Sequence, residues 1–468
     1  MAPRGSCLVL GLLLRGALSL RNRLASPEAD DIHNGKYYKQ ELGNIHNVQY
    51  YGSMKIGGQP LTVILDTGSF EIVVFSRNCP TCGIAAEFNE GASPTFKWGG
   101  HTQTHSYGSG SCEAKDGFDN LAIGTVTSEK QPLWIAVNCQ IPILATAGFN
   151  VIAGMGPPGQ PEFSANSQMK KIEDMEKQFE KNGEELPQEL KKLRADTEQA
   201  LQVAQGKKAM LETLGVQTFS HCLGKEPGSP GYLIWNDETR AGKPGVQQIP
   251  VAGNITWGVV MKDLTLKSDS HGINVGCGGP SCGAIIDSGT SLFALPTPMY
   301  NAVVMQLQSM GPSLDCSDLS VFPNLVMNLG GQTLRFPPSS YIGVFDGQLS
   351  KDVEDFVRTE KFSAPEARVP CQLLLMDLGP AQQTTIGPMV ILGMPFFREY
   401  YTTFDLGQGR GDRSLLVSKA SADCSPEVSA VAAARDGNLR YTPLTVDLSA
   451  LRLPLWLRRG SRIGVAAV

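Results

Sequence analysis

The sequence predicts a mostly β protein of two lobes, and three observations predict it. The chain is 468 residues long, enough to bury two large cores. It carries 51 Gly and 30 Pro with only 18% charged residues, a composition of many short strands joined by tight turns. One strand-and-turn pattern is also written twice, as "VILDTGS" at 63–69 and as "AIIDSGTS" at 284–291.

In both copies an apolar run delivers an aspartate, Asp66 or Asp287, to the end of a buried strand. A lone copy reads as strand, turn, strand, with the aspartate capping its own turn. Two copies read differently. Gly68 and Gly289 let the two turns approach each other closely, and the hydroxyls of Ser69 and Thr290 can reach the outer carboxylate oxygens. Two carboxyls side by side cannot both ionise cheaply, so they share one proton. One member becomes a base and the other an acid.

With its surroundings this pattern resembles the pepsin-like aspartic proteases, over residues 48–420. "YYGSMKIGGQPLTVILDTGS" is similar to the family's opening strands and first active-site loop. "SYGSGS" at 106–111 resembles the flap, with Tyr107 at the flap-tyrosine place. Ile152-Ala153-Gly154 is similar to the apolar–apolar–Gly element that crosses behind the first loop. After Asp287, Ile391-Leu392-Gly393 resembles the matching element and Phe404-Asp405 the strand beyond it. These motifs follow the family's order.

The resemblance implies a two-lobed pepsin-like β-barrel architecture and an aspartic endopeptidase with an acid pH optimum. Asp66 and Asp287 would be the catalytic pair that activates a water. Tyr107, Gly108, Ser109, Gly68, Gly289 and Thr290 would contact the peptide substrate. Neither a metal nor another cofactor is implied. The alternative is a catalytically silent pepsin-like protein that binds peptides or acts as an inhibitor. One departure stands out. Val73 occupies the place where much of the family has a tryptophan whose indole N–H meets the flap tyrosine, so the anchoring of Tyr107 is open.

Along the chain, residues 1–19 resemble a short secretory signal, with Arg4 before an apolar run and small residues Ala17 and Ser19 near its end. Residues 20–45 are polar and read as a short prosegment or extension. The N-terminal lobe follows at 46–238, the C-terminal lobe at 239–420 and an extension at 421–468. Cys277 and Cys282 bracket "GGPS" at a spacing suited to a small disulfide loop, just before the second aspartate. The family likeness implies two more pairs, Cys316 with Cys371 and Cys79 with Cys82, against a zinc or redox reading of "CPTC". Cys112 with Cys139 fits within the first lobe, which leaves Cys222 and Cys424. A paired set implies an oxidising compartment: the secretory pathway, a lysosome- or vacuole-like organelle, or the cell exterior.

Residues 160–206 depart from the β pattern. They are dense in Lys and Glu, with one apolar stripe at Met169, Ile172, Met175 and Phe179 and another at Leu190, Leu193, Thr197, Leu201 and Ala204. Asn182-Gly183 ends the first stripe and Pro187 opens the second. This predicts a helical hairpin inserted in the first lobe, self-contained because its stripes can cover each other. The tail mixes Leu and Trp456 with Arg452, Arg458, Arg459 and Arg462, a pattern that fits peripheral contact with an anionic membrane. A net charge of −5 offers no basic surface for nucleic acid. A monomer acting on a peptide or protein substrate is expected.

Overall fold

The computed structural model describes residues 37–107, 110–205, 207–269, 271–310, 315–351, 353–361, 367–421, 424 and 443–454. The signal-like segment 1–19, flap residues Gly108 and Ser109, and tail residues Arg458, Arg459 and Arg462 lie outside them. The fold is mostly β: among the described residues, strands form sheets of thirteen, eight and three.

Both aspartate loops are built to one plan. Strand Gln59–Asp66 runs parallel to Val151–Gly154, with Asp66 opposite Gly154. Past the loop, Ile72–Phe75 returns antiparallel to that same strand. In the other half, Cys282–Ile286 runs parallel to Met389–Leu392, and Phe293–Leu295 returns antiparallel to it. Both crossing strands are buried along their whole length, so they read as unbroken apolar runs without alternation. The glycine that ends each run has a steric reason. A Cβ on Gly154 would strike the backbone of Phe70 and Glu71, and one on Gly393 would strike the carbonyls of Thr290 and Leu292.

Six antiparallel strands join the halves, in the order Gln247–Pro250, Ser414–Lys419, Tyr400–Asp405, Thr218–Leu223, Gly231–Trp235, Tyr38–Ile45. Residues 38–45 are thus built into the sheet. Across its face Phe219 stacks on Phe404 at 4.7 Å, and the Trp257 indole packs edge-on to both. That indole donates to the Met155 carbonyl at 2.9 Å, close behind the first aspartate loop.

Five disulfides close among the described residues: Cys79–Cys82, Cys112–Cys139, Cys222–Cys424, Cys277–Cys282 and Cys316–Cys371. The sulfurs of Cys79, Cys82 and Cys139 lie within 4.8 Å of one another, but all three are oxidised and offer no thiolate to a zinc ion.

The inserted helices span Gln160–Asn182 and Gln188–Gln205. Gly183 caps the first in the left-handed region, at φ 69°. Arg194 ties the pair by reaching Glu176 on the first helix and Glu198 one turn ahead on its own. Ile172, Leu190 and Thr197 are buried. The hairpin is nevertheless not self-contained. Val203 packs in one cluster with Val73, Trp134 and Phe149 of the first half, and Lys207, just past the second helix, pairs with Asp116 at 3.1 Å. The sequence pattern shows two stripes and hides this third, inward-facing contact.

Candidate active site

The two loops meet across the junction of the halves and grip each other reciprocally. Thr67 N–H donates to Ser288 Oγ at 3.1 Å, and Ser288 N–H donates to Thr67 Oγ1 at 2.9 Å. Each hydroxyl then donates across to a strand-end carbonyl, Thr67 Oγ1 to Ile286 at 3.0 Å and Ser288 Oγ to Leu65 at 2.7 Å. Within each loop a glycine N–H holds the inner carboxylate oxygen: Gly68 to Asp66 Oδ1 at 2.9 Å and Gly289 to Asp287 Oδ1 at 2.8 Å. A Cβ on Gly68 would collide with the Asp287 carboxylate, and one on Gly289 with that of Asp66. No side chain larger than hydrogen fits between the carboxyls and the opposing backbone.

The pair is buried, with Asp66 1% and Asp287 0% exposed. Burial, and then the charge of Asp66 beside it, pushes the Asp287 carboxyl well above the ordinary aspartate range, against the Thr290 hydroxyl and the Gly289 N–H that favour its ionised form. The outer oxygens differ. Thr290 Oγ1 donates to Asp287 Oδ2 at 2.5 Å, whereas Ser69 Oγ is buried without a hydrogen-bond partner.

Tyr107 ends strand Lys97–Tyr107, opposite Gly110 at the turn of a long hairpin. Val73 is buried in strand Ile72–Phe75, directly opposite Trp134. An indole is therefore present next door, but its N–H is committed to Glu71 Oε1 at 2.9 Å. Glu71 Oε2 in turn meets His105 Nδ1 at 3.1 Å, on the same strand as Tyr107. Burial alone would raise the Glu71 carboxyl; His105, the Trp134 indole and Lys207 together hold it below the usual range. Lys207 lies 3.8 Å from the Trp134 ring centroid and pairs with Asp116, which also meets His101 at 3.1 Å. Sequence reading missed this chain of groups. Its one available signal is Glu71 itself, a charged residue between Phe70 and the apolar run that begins at Ile72.

A cavity of about 830 Å³ opens beside the first loop. It begins at Ser69 and Phe70, and its lining includes Trp134, Ile152 and, from the inserted helices, Phe163 and Val203.

Comparison with known proteins identifies a family for the chain. The family model "Eukaryotic aspartyl protease" matches residues 49–182 and 209–412, its gap falling at the second inserted helix. Cathepsin D from Dictyostelium discoideum is 27% identical over 380 residues, covering 78% of this chain and 83% of the relative. Pepsin A from Bos taurus is 25% identical over 382 residues, covering 80% and 85%. Vacuolar protease A from Arthroderma otae is 25% identical over 375 residues, covering 79% and 78%. With more than half of its length matched by the family model and two aspartate loops gripping each other through Thr67 and Ser288, the chain belongs to the eukaryotic aspartyl protease family.

Proposed function

We propose that this protein is an aspartic endopeptidase in which Asp66 and Asp287 act as a pair on a water molecule held between them. The observation that carries the reading is the reciprocal fit of the loops, each glycine facing the other's carboxylate. We assign the shared proton to Asp287, whose ionised form is penalised by burial and then by the neighbouring Asp66 charge. Asp66 is then the carboxylate that takes a proton from water as it attacks the peptide carbonyl. Asp287 donates its proton to the carbonyl oxygen, giving a neutral gem-diol. Collapse of that diol returns a proton to the leaving amine. Gly68, Gly289 and Thr290 position the carboxyls, and Tyr107, Gly108 and Ser109 close over the peptide as a lid.

The substrate is an extended peptide, recognised by main-chain pairing and by pockets for alternate side chains. Both carboxyls come from one chain, so a monomer suffices. Five disulfides support an oxidising compartment of the secretory pathway. The test is peptide cleavage as a function of pH, with and without a statine-type transition-state mimic. Mimic-sensitive cleavage in acid that fades toward neutrality is expected. A folded protein that neither cleaves any peptide of a diverse library nor binds the mimic would be a silent relative.

A further inference from the structure

The chain does not end where the family match does. Leu444–Asp447 adds a strand parallel to Ile342–Asp346, with Gly343 opposite Leu444 and Asp346 opposite Asp447. Val446 and Leu451 are 0% exposed. Beyond the short turn at Leu448–Ala450 the backbone crosses the seam between the halves. From the first half, Gln49 Nε2 donates to the Ala450 carbonyl at 2.6 Å. From the second, Ser291 engages Arg452 on both of its main-chain groups. Arg452 N–H donates to Ser291 Oγ at 2.9 Å, and Ser291 N–H donates to the Arg452 carbonyl at 3.1 Å. Ser291 Oγ itself donates to Val48 O at 2.7 Å. The Arg452 side chain is buried, its guanidinium 4.8 Å from the Phe149 ring centroid.

Ser291 belongs to the second aspartate loop, four positions past Asp287. Pairing of both the N–H and the C=O of one residue is how a protein captures an extended peptide, while a pocket reads the side chain. A buried arginine is costly without compensation, and an aromatic face is a recognition device for a cation. The segment therefore has the form of a bound peptide.

We propose that residues 450–454 are an internal peptide ligand that fills the Ser291 side of the substrate cleft. The intact chain is thereby restrained by its own C-terminal segment, and the emptied cleft favours peptides with a basic residue over Phe149. The proposal rests on the reading of Asp66 and Asp287 as the reacting pair.

The test compares the full-length protein with its full-length Arg452→Glu variant, in which a carboxylate would have to be buried against Phe149. The probe is a fluorescent peptide of sequence Asp-Leu-Ser-Ala-Leu-Arg-Leu-Pro, followed by anisotropy. The variant should bind it at least about tenfold more tightly than the wild type, a difference of about 1.4 kcal/mol. A statine-type mimic should displace it, and the same peptide with Glu for Arg should not bind. Equal binding by both proteins, or binding that the mimic does not displace, overturns the proposal. Should the variant misfold, the wild type decides alone: adding the mimic should speed hydrogen exchange of the amides at 449–453, and unchanged exchange overturns the proposal. Displacement without any peptide hydrolysis by the variant would leave the tail's role standing and overturn the catalytic reading instead.

Discussion

The two aspartate loops share strand order, crossing glycine and cross-loop hydroxyl grip, yet they differ at one hydroxyl and in what lies beside them. Thr290 donates to the outer oxygen of Asp287, while the equivalent hydroxyl beside Asp66, that of Ser69, has no hydrogen-bond partner. Past Ser69 the chain borders an open cavity; past Thr290, at Ser291, it is occupied by the C-terminal segment. Near-symmetry brings the carboxyls together, and the small departures from it make them inequivalent.

The strongest way to break the comparison is to remove one carboxylate at a time. Asp66→Asn and Asp287→Asn should each lower kcat by at least about a thousandfold, since neither loop can supply both base and acid. Unaltered circular dichroism and cooperative unfolding would show that the fold survives. Near-normal turnover in either variant would refute the pairing.

The second test is pH. Because the Asp287 carboxyl is raised, its contribution to stability is full below the ordinary aspartate value of 3.8 and is lost as pH rises through its folded value. Each unit of upward shift costs about 1.4 kcal/mol once the group is forced to ionise. Asp287→Asn removes that loss. The variant should melt higher than wild type near about pH 7 and no higher near about pH 3.5. Activity should fall over the same rise in pH, as the pair loses its shared proton.

A subtler test separates the hydroxyls. Thr290→Val takes a donor from the ionised form of Asp287, a bond to a charged group worth about 1.5–3 kcal/mol. The alkaline limb of the activity profile should move upward by about one pH unit or more. Ser69→Ala should leave that limb unchanged. Equal shifts in the two variants would mean that the asymmetry has no functional weight.

The smallest effect expected on chemistry is that of the insertion. Replacing residues 162–205 by a short Gly/Ser linker removes part of the cavity lining and the Val203 contact. It should raise KM for peptides reaching past Ser69 by several-fold and leave kcat within about twofold. A large loss of kcat would mean that the helices position the loop itself.

Much of this was legible in the sequence because it is written locally. The Asp-Thr-Gly-Ser and Asp-Ser-Gly-Thr turns, the crossing apolar runs and the helix-ending Asn182-Gly183 each carry their signal within a few residues. What escaped depends on partners distant in sequence. Nothing around Glu71 announces His105 and Trp134, and nothing around Lys207 announces Asp116. Arg452 reads as one cation of a basic surface tail, yet it is buried on Phe149, because a sequence does not say which way an irregular segment faces. Ser69 and Thr290 look interchangeable on paper; only the packed loops show that one hydroxyl reaches a carboxylate and the other does not.

The Cys222–Cys424 bond gives the C-terminal segment a further property. Cys222 lies in the strand Thr218–Leu223 of the sheet that joins the halves, so the chain leaving Cys424 is leashed to the body of the protein. A leashed ligand competes at a fixed local concentration, however dilute the protein becomes. A single backbone cut between Cys424 and Leu444 would change the law that governs occupancy. The segment would still fit, but its hold would obey mass action and weaken on dilution, and one cleavage would release the cleft with no change in any residue that lines it.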